Sequence, residues 1–546
     1  MFLNIKAPLE KRIWVIPALI TFIIALIPTV QYQWPLSWDI IIHIQYAMVY
    51  AKHGFVLTDP LLNAPFGQKI GYPPLFHFIL VFLGMITRID YFQIARALQP
   101  FLAMFIVSSV SYVAWKFYGT IAAVSAGFLV LSSVLFGRII LPIPENLALI
   151  FLPLSIYFYY RSIQDQLTRY ALLSGILFIT VILTHQAATL ILISTITMIT
   201  LVDLIVYRRI LDLKSYGYFL LPAIFLAVIG FIALLLWKPD IVYSIFNQGI
   251  STATGLLISI SNRPLNFKGY LDIGYLVLLF GIIGIVLSLL NTQKLVKKEK
   301  MDEITDNRKY IKKKDRKSLF ILTWILLTFI LSIAYWFGIN VISYRLLVYL
   351  LLPLSIIGGF GLREIYRFSK NYGKHPLDKL GVILLLAVFV VSIASATLTV
   401  EKTGFNEFKV ENQYGTLEIA PPSASMVDLA EWFDKNGDKN RSILTNNLFT
   451  GTYLATVTGM PIHYGFEDFN KNISQSSFKE ANIGYLVLDK RLSLNKTGSL
   501  NLISVKSEFY PLVYFSKPVN SSLNELLPDF IKVVYENHDY IVCQIY

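Results

Sequence analysis

Residues 37–77 read SWDIIIHIQYAMVYAKHGFVLTDPLLNAPFGQKIGYPPLFH and follow closely on an apolar run, Ile13 to Val30. Asp39 to His53 predicts a helix with an apolar stripe at Ile42, Tyr46, Val49 and Tyr50. Gly54 is its stop, because the left-handed residue that ends many helices is most often glycine. Asp39 and His43 are four residues apart and so share one face of that helix. A carboxylate beside an imidazole at the mouth of a membrane bundle can bind a metal, move a proton or hold a hydroxyl. An Asp in a first helical turn is also what capping and the helix dipole favour on their own. Pro73 and Pro74 then open a second apolar segment, Leu75 to Thr87. Its 13 residues rise about 20 Å, short of a hydrocarbon core of about 30 Å, so it is expected to lie in the interface and not to cross.

Composition sets the solvent. Of 546 residues, 55% are hydrophobic and only 15% charged, against about 25% charged in soluble domains, which makes this a membrane protein. The formal charge of +13 does not imply nucleic acid, because the basic residues gather in short loops between apolar spans, the positive-inside pattern. A single cysteine, Cys543, excludes an internal disulfide and a thiolate-only metal site. Lys6, Lys11 and Arg12 precede the first span and no small-residue cleavage site follows it, so an uncleaved span with a cytoplasmic N-terminus is expected.

That span delivers a first outer loop, residues 31–91, to the outside. Further spans are expected at Phe92 to Trp115, Thr120 to Phe136, Asn146 to Tyr160, Tyr170 to Thr184, Ala187 to Tyr207 and Gly217 to Trp237. Leu271 to Leu290, Leu319 to Phe337, Val341 to Gly361 and Gly381 to Thr399 complete a set of about eleven. The basic loops Arg161 to Arg169, Arg208 to Lys214, Lys294 to Lys317 and Arg363 to Lys374 then all face the cytoplasm. The longest of them is expected to be disordered or to rest on acidic lipid. Lys238 to Tyr270 is a long outer loop. Residues 1–400 thus predict a polytopic α-helical membrane domain of the cell membrane.

From residue 401 the composition becomes that of a soluble domain, and an odd number of spans puts it outside. A small extracytoplasmic α/β domain is expected over 401–546, with a helix at Ser425 to Asp434. Strands are expected at Ser442 to Thr445, Tyr485 to Asp489, Ile531 to Tyr535 and Tyr540 to Ile545, the last two joined through Glu536–Asn537–His538–Asp539. Sequons at Asn440, Asn472, Asn495 and Asn520 suit an external location, though such triplets also arise by chance.

This topology gathers Asp39, His43, Asp59, Lys69, His77, Arg138, Glu145, His185 and Arg345 at the outer face. Ionisable groups beside spans are costly and have a job or a partner. Glu145 opens a helix after Leu141–Pro142–Ile143–Pro144, where it either caps the helix or serves a site. Arg345, in Ser343–Tyr344–Arg345–Leu346, either snorkels to the interface or holds a lipid phosphate through paired donors. His77 and His185 are as readily structural. No phosphate-binding loop, dinucleotide fingerprint, serine-hydrolase elbow or zinc-protease motif stands in a usable context.

With these residues in view, the chain resembles the integral-membrane glycosyltransferases of the GT-C fold. The likeness is to archaeal members related to the oligosaccharyltransferase catalytic subunit and to the dolichyl-phosphate-mannose protein mannosyltransferases. It rests on Trp38–Asp39 with His43, on Thr58–Asp59–Pro60, on the helix opened by Pro73–Pro74–Leu75, on Arg138 through Glu145, and on Arg345 before a Leu/Pro-rich span ending in Gly358–Gly359. The resemblance implies that Asp39 is the first-loop acid and general base and Glu145 the second-loop acid. Arg345 or Lys69 neutralises a polyprenyl (dolichyl) phosphate-linked sugar donor, and His43, Asp59, His77, Arg138 and His185 line the substrate site. The acceptor is a glycan or a protein on the outer face. The signature Trp-Trp-Asp-Tyr-Gly is missing from the tail, which argues against recognition of protein sequons. The second loop keeps one acid where two are usual, and Lys238 to Tyr270 has Asp240 but no Glu. Asp39, His43 and Glu145 are the available ligands for Mn²⁺, Mg²⁺ or Zn²⁺, a thin set, so the cofactor is expected to be none or one divalent cation. A transporter or flippase for lipid-linked sugars needs the same groove and charges, but no internal repeat is evident. A non-catalytic scaffold of the same fold is the third alternative.

Protease added to intact cells is expected to trim the tail while Lys294 to Lys317 stays protected. Cleavage in the opposite order overturns the topology.

Overall fold

The computed structural model describes residues 12–207, 212–237, 239, 242, 265–305, 316–338, 343–372, 377–403, 409–412, 415–418, 422–465, 475–492, 502–506, 511–515 and 527–546. Most of the outer loop Lys238 to Tyr270 with its Asp240, part of the basic loop Lys294 to Lys317, Lys6 and Lys11, and the sequons at Asn472, Asn495 and Asn520 lie outside these residues.

In chain order the helices are α1 (Ile16–Gln31), α2 (Asp39–His53), α3 (Leu75–Thr87), α4 (Tyr91–Tyr118), α5 (Thr120–Leu131), α6 (Phe136–Ile139), α7 (Pro144–Asp165), α8 (Thr168–Ile182) and α9 (Gln186–Tyr207). They continue with α10 (Asp212–Trp237), α11 (Phe267–Leu271), α12 (Tyr275–Thr305), α13 (Lys317–Ser332), α14 (Ser343–Tyr372), α15 (Leu377–Thr403), α16 (Ala424–Asn436), α17 (Leu448–Thr458) and α18 (Gln475–Glu480). Among the described residues six helical segments are long and apolar enough to cross a membrane: Ile13–Gln31, Tyr91–Tyr118, Gln186–Val206, Asp212–Trp237, Ser343–Asn371 and Lys379–Glu401. α3, α5, α8, α12 and α13 carry shorter apolar stretches. The protein is therefore a polytopic helical membrane protein with a small C-terminal sheet region.

Two compact units divide the chain. The first contains Met1–Tyr32, Pro73–Phe76 and Ala97–Lys402; the second contains Gln33–Tyr72, His77–Arg96 and Thr403–Tyr546.

In the first unit the apolar stretch of α14 is almost wholly buried, and the helix packs on α5 and α12. Small residues make this possible, since apolar helices in lipid gain little from hiding side chains and much from close backbone approach. A Cβ added to Gly359 would stand 2.3 Å from the Ala122 carbonyl oxygen, and one on Gly284 would stand 2.0 Å from that of Ile357. Away from this contact, Arg316 Nη1 donates to Asp203 Oδ2 and Asp212 Oδ2, each at 2.8 Å, with all three residues buried. That triplet ties the end of α9 to the starts of α10 and α13.

In the second unit the strands in chain order are β1 (Ser442–Thr445), β2 (Ile462–His463), β3 (Ile483–Asp489), β4 (Ile531–Glu536) and β5 (Tyr540–Ile545), and the sheet order is β4-β5-β3-β1-β2. β1 is parallel to β2 and β3, β5 is antiparallel to β3, and β4 is antiparallel to β5. The strands expected from the sequence are all here, and α16 covers the expected helix. Among the features not foreseen are α17 and the way the sheet continues past β2 into the first outer loop. Leu62 pairs in parallel with Ile462, whose N–H donates to Leu61 O at 2.7 Å and whose carbonyl accepts from Ala64 N–H at 2.7 Å. An edge that would otherwise offer unpaired backbone groups is thereby covered.

Asp59 holds that edge segment. Its side chain is fully buried, Oδ1 accepts from the N–H groups of Leu61 (2.8 Å) and Leu62 (3.4 Å), and Oδ2 accepts from Gln45 Nε2 at 3.0 Å. Burial pushes its carboxyl up, against these hydrogen bonds and the charge of His53. Its oxygens are committed to the scaffold, which leaves a substrate-lining role without a free atom. Asp59→Ala is expected to cost about 1–3 kcal/mol by stranding buried donors, read as a lower melting temperature in detergent. An unchanged melting point would remove this role.

Candidate functional site

In the first unit the site grows from the break between α6 and α7. Ile143 is extended (φ −120°, ψ 157°) and Pro144 starts α7, where a missing N–H costs nothing. Glu145 therefore falls in the first turn, ahead of the apolar span that begins at Asn146, facing the positive end of the helix dipole. Asn146, fully buried, closes the break. Its amide nitrogen lies 2.8, 3.0 and 2.7 Å from the carbonyl oxygens of Arg138, Ile139 and Leu141.

That clamp sets Arg138 over Glu145. Nε and Nη2 of the guanidinium donate to Glu145 Oε2 at 3.1 and 2.5 Å, and the carboxylate is 2% exposed. Oε1 is buried and has no hydrogen-bond partner within 3.5 Å among the described residues, while the Tyr349 hydroxyl interacts with the same carboxylate. Burial alone would raise the Glu145 carboxyl, but Arg138, with His185 and Arg345 behind it, holds it down to about 2. His185 sits in the turn between α8 and α9. Its Nδ1 accepts from Ala188 N–H at 3.3 Å and lies 3.4 Å from the Tyr349 hydroxyl, so the ring proton belongs on Nε2. Burial lowers this imidazole to about 4, helped by Arg345 and Arg138 and opposed by Glu145. Arg345, half-buried in the first turn of α14, makes no hydrogen bond or ion pair among the described residues. Arg138, Glu145, His185 and Arg345 thus interact electrostatically with one another. Tyr349 and Asn146 belong to this group too.

In the second unit Asp39 opens α2 behind Ser37, whose φ of 82° is left-handed and unusual for a serine. The Asp39 N–H donates to Ser37 Oγ at 3.1 Å, and the half-exposed carboxylate makes no hydrogen bond or ion pair among the described residues. Trp38 anchors this corner edge-on against Phe449 of α17, with ring centroids 4.6 Å apart. His43 does not pair with Asp39. Its Nδ1 lies 3.1 Å from Nε2 of His77, and the pair is enclosed by Tyr46, Tyr50 and Tyr72. Both imidazoles are buried, and the expected Asp39–His43 couple is instead a His43–His77 couple. Lys69 is exposed in the short strand Gln68–Lys69, opposite Thr58.

No protein-family model matches the chain, and no curated protein sequence matches it. Solved structures do. The oligosaccharyltransferase of Archaeoglobus fulgidus, tethered with an acceptor peptide containing the NVT sequon, aligns at a TM-score of 0.59 and 12% identity over 89% of this chain and 70% of that one. ArnT from Cupriavidus metallidurans, bound to undecaprenyl phosphate, aligns at 0.53 and 13% over 94% and 100%. The mycobacterial arabinofuranosyltransferase AftD aligns at 0.53 and 14% over 98% of this chain and 41% of that one. This chain has the GT-C fold.

A GT-C protein raises the question of a metal, and the A. fulgidus enzyme has also been solved with zinc and sulfate. The residues around Glu145 do not fit one. Oε2 carries the Arg138 fork, Arg345 adds a second positive charge, and the neighbouring imidazole offers its Nδ1 to Ala188 and Tyr349. Among the described residues no group of three or more His, Cys, Asp or Glu side chains stands together as a metal site, so Asp39, His43 and Glu145 do not form one.

An imidazole whose value is lowered by folding is neutral in the fold. Stability is then complete above pH about 6.5 and is lost as pH falls toward about 4. Melting temperature in detergent is expected to drop across that window, and His185→Gln to make the drop shallower. An identical pH profile in the variant would show that His185 does not titrate with folding.

Proposed function

We propose that the chain is a membrane glycosyltransferase that moves a sugar from a polyprenyl-phosphate-linked donor to a glycan or protein acceptor on the outer face. The observation that carries this is Arg345: a half-buried guanidinium on a GT-C frame, beside a neutralised Arg138–Glu145 pair, with no hydrogen bond or ion pair among the described residues. A half-buried guanidinium with no hydrogen bond or ion pair among the described residues is suited to an anionic ligand, and a lipid phosphate matches its paired donors. ArnT, solved with undecaprenyl phosphate, and the A. fulgidus enzyme, solved with dolichol-phosphate, support that choice of donor.

In this reading the acceptor oxygen forms a bond to the anomeric carbon while the bond from that carbon to the phosphate oxygen breaks. Asp39, whose carboxylate makes no hydrogen bond or ion pair among the described residues, takes the acceptor proton. The lipid phosphate leaves with its charge held by Arg345, and Lys69, exposed in the first outer loop, is the reserve cation. Glu145 uses its open Oε1 to orient the acceptor. Residues 401–546 serve as an external domain for acceptor recognition, with the N-terminus on the cytoplasmic side.

Radiolabelled transfer from a panel of dolichyl-phosphate sugars tests these roles. Asp39→Asn is expected to lower transfer about 10²–10⁴-fold with an unchanged melting temperature. Arg345→Ala should raise KM for the donor, and Arg345→Lys should restore part of it. Full activity in Asp39→Asn removes the base assignment.

A further inference from the structure

Tyr349 is fully buried in the second turn of α14, four residues after Arg345, so the two side chains lie on one face of the helix one turn apart. Its hydroxyl lies 3.4 Å from Nδ1 of His185 and interacts with the Glu145 carboxylate. A phenol has one hydrogen to give. Nδ1 already accepts from Ala188 N–H, and an ionised carboxylate is the stronger acceptor, so that hydrogen belongs to Glu145. Glu145 is then covered by Arg138 on Oε2 and by the tyrosine. Both are held in place, Arg138 through the bond from Asn146 to its carbonyl and Tyr349 through its burial. Arg345 starts one turn nearer the head of α14. A turn rises about 5.4 Å, within the reach of an extended arginine. Even so, Arg345 makes no hydrogen bond or ion pair among the described residues.

We infer that Tyr349 is a positioning residue for Arg345: its hydroxyl takes the place at Glu145 that the guanidinium would otherwise occupy, and so keeps the cation one turn away for an anionic ligand. This rests on the glycosyltransferase reading, in which that ligand is the lipid phosphate of the donor. Two donors compete for one buried acid. A buried carboxylate that loses a hydrogen bond draws in the nearest donor, because staying short of one costs more than bending a flexible side chain. On α14 that donor is Arg345. The tyrosine holds the place in the wild type because its ring is already packed, whereas the arginine would have to order a long chain to gain it. Phenylalanine at this position keeps the ring and its packing and removes only the oxygen, which separates the part of the hydroxyl from that of the ring.

The test uses the full chain in detergent with dolichyl phosphate, without a sugar, as the probe. The dissociation constant and the melting temperature are read for each variant. Arg345→Gln is expected to bind the probe at least about tenfold more weakly, and Tyr349→Phe nearly as weakly while melting close to wild type. Both changes take the same guanidinium from the ligand, so the double variant should lose no more than Arg345→Gln alone. Glu145→Gln added to Tyr349→Phe should restore most of the binding, since a neutral amide no longer captures Arg345. A tyrosine that served only packing gives no such rescue. Phenylglyoxal adds a reading that needs no ligand: it should modify Arg345 in the wild type and spare it in Tyr349→Phe. Should Tyr349→Phe not fold, Tyr349→Met, which fills the gap without a hydroxyl, takes its place. Wild-type Arg345 that resists phenylglyoxal as Arg138 does overturns the inference whatever the variants do. Wild-type binding in Tyr349→Phe, a loss that adds to that of Arg345→Gln, or a loss that Glu145→Gln leaves in place overturns it too, and leaves the glycosyltransferase reading standing. Unchanged binding in Arg345→Gln removes both.

Discussion

A carboxylate buried at the head of an apolar helix is stable only if something positive lies on it, and in this protein that group is Arg138. The rest of the site follows from meeting that demand. The proline pair at positions 142 and 144 breaks the chain so that α6 can return its arginine to the start of α7. Asn146 binds the carbonyl groups that the break leaves open, which both satisfies them and fixes the return. With Glu145 neutralised in this way, Arg345 is released from the task. It stays a charge near the cluster without being consumed by it. Remove the fork and Arg345 becomes the natural partner of Glu145, and the cation that distinguishes the site is gone.

The two acids show how environment sorts identical chemistry. Glu145 is buried, doubly bonded on one oxygen and held ionised, a poor proton acceptor. Asp39 is half-exposed, at a helix start, with neither oxygen in a hydrogen bond or ion pair among the described residues. Only the second has the freedom a general base needs. Its position is fixed from behind by the buried Trp38 against Phe449 and by a serine in a left-handed conformation. Backbone strain of that kind persists only where the surroundings hold it, and it is most common beside functional groups.

Much of this fold could be read from hydropathy and punctuation. Apolar runs, basic loops and the Pro73–Pro74 opening locate most of the helices within a turn, and alternation gives the four longer strands of the sheet. α17 escaped because Leu448 to Thr458 is rich in Thr and Gly, weak helix formers, and is helical through Asn447 capping and its burial against α2. The pairing of Leu62 with Ile462 joins residues 400 apart through backbone groups, which leave no pattern in side-chain order. In the site, periodicity indicated that Asp39 and His43 share a face but not whom each faces. His43 chose His77, 34 residues on, because both rings are apolar-walled and one imidazole can donate to another without charge. Tyr349 and Asn146 had signals, a tyrosine one turn past Arg345 and an amide after Pro–Glu, but neither residue is ionised, and a search for charges passes over both.

Electrostatic catalysis asks that a charge be held before the substrate arrives, so that none of its stabilisation is spent on reorganisation. Arg345 depends for this on α14, and α14 depends on glycine. Between Arg345 and Gly359 the helix rises about 21 Å, and at the far end its backbone lies so near α5 that a single methyl would meet the Ala122 carbonyl. Helices in contact at that distance cannot slide or roll without separating, so the rod is fixed at one end and carries a guanidinium near the other. Softer packing by large side chains would allow several orientations and blur the position of the charge. The glycines quoted from the sequence as a family likeness thus have a mechanical meaning here: they make the helix stiff in its seat, and a stiff seat holds a half-buried arginine in one place.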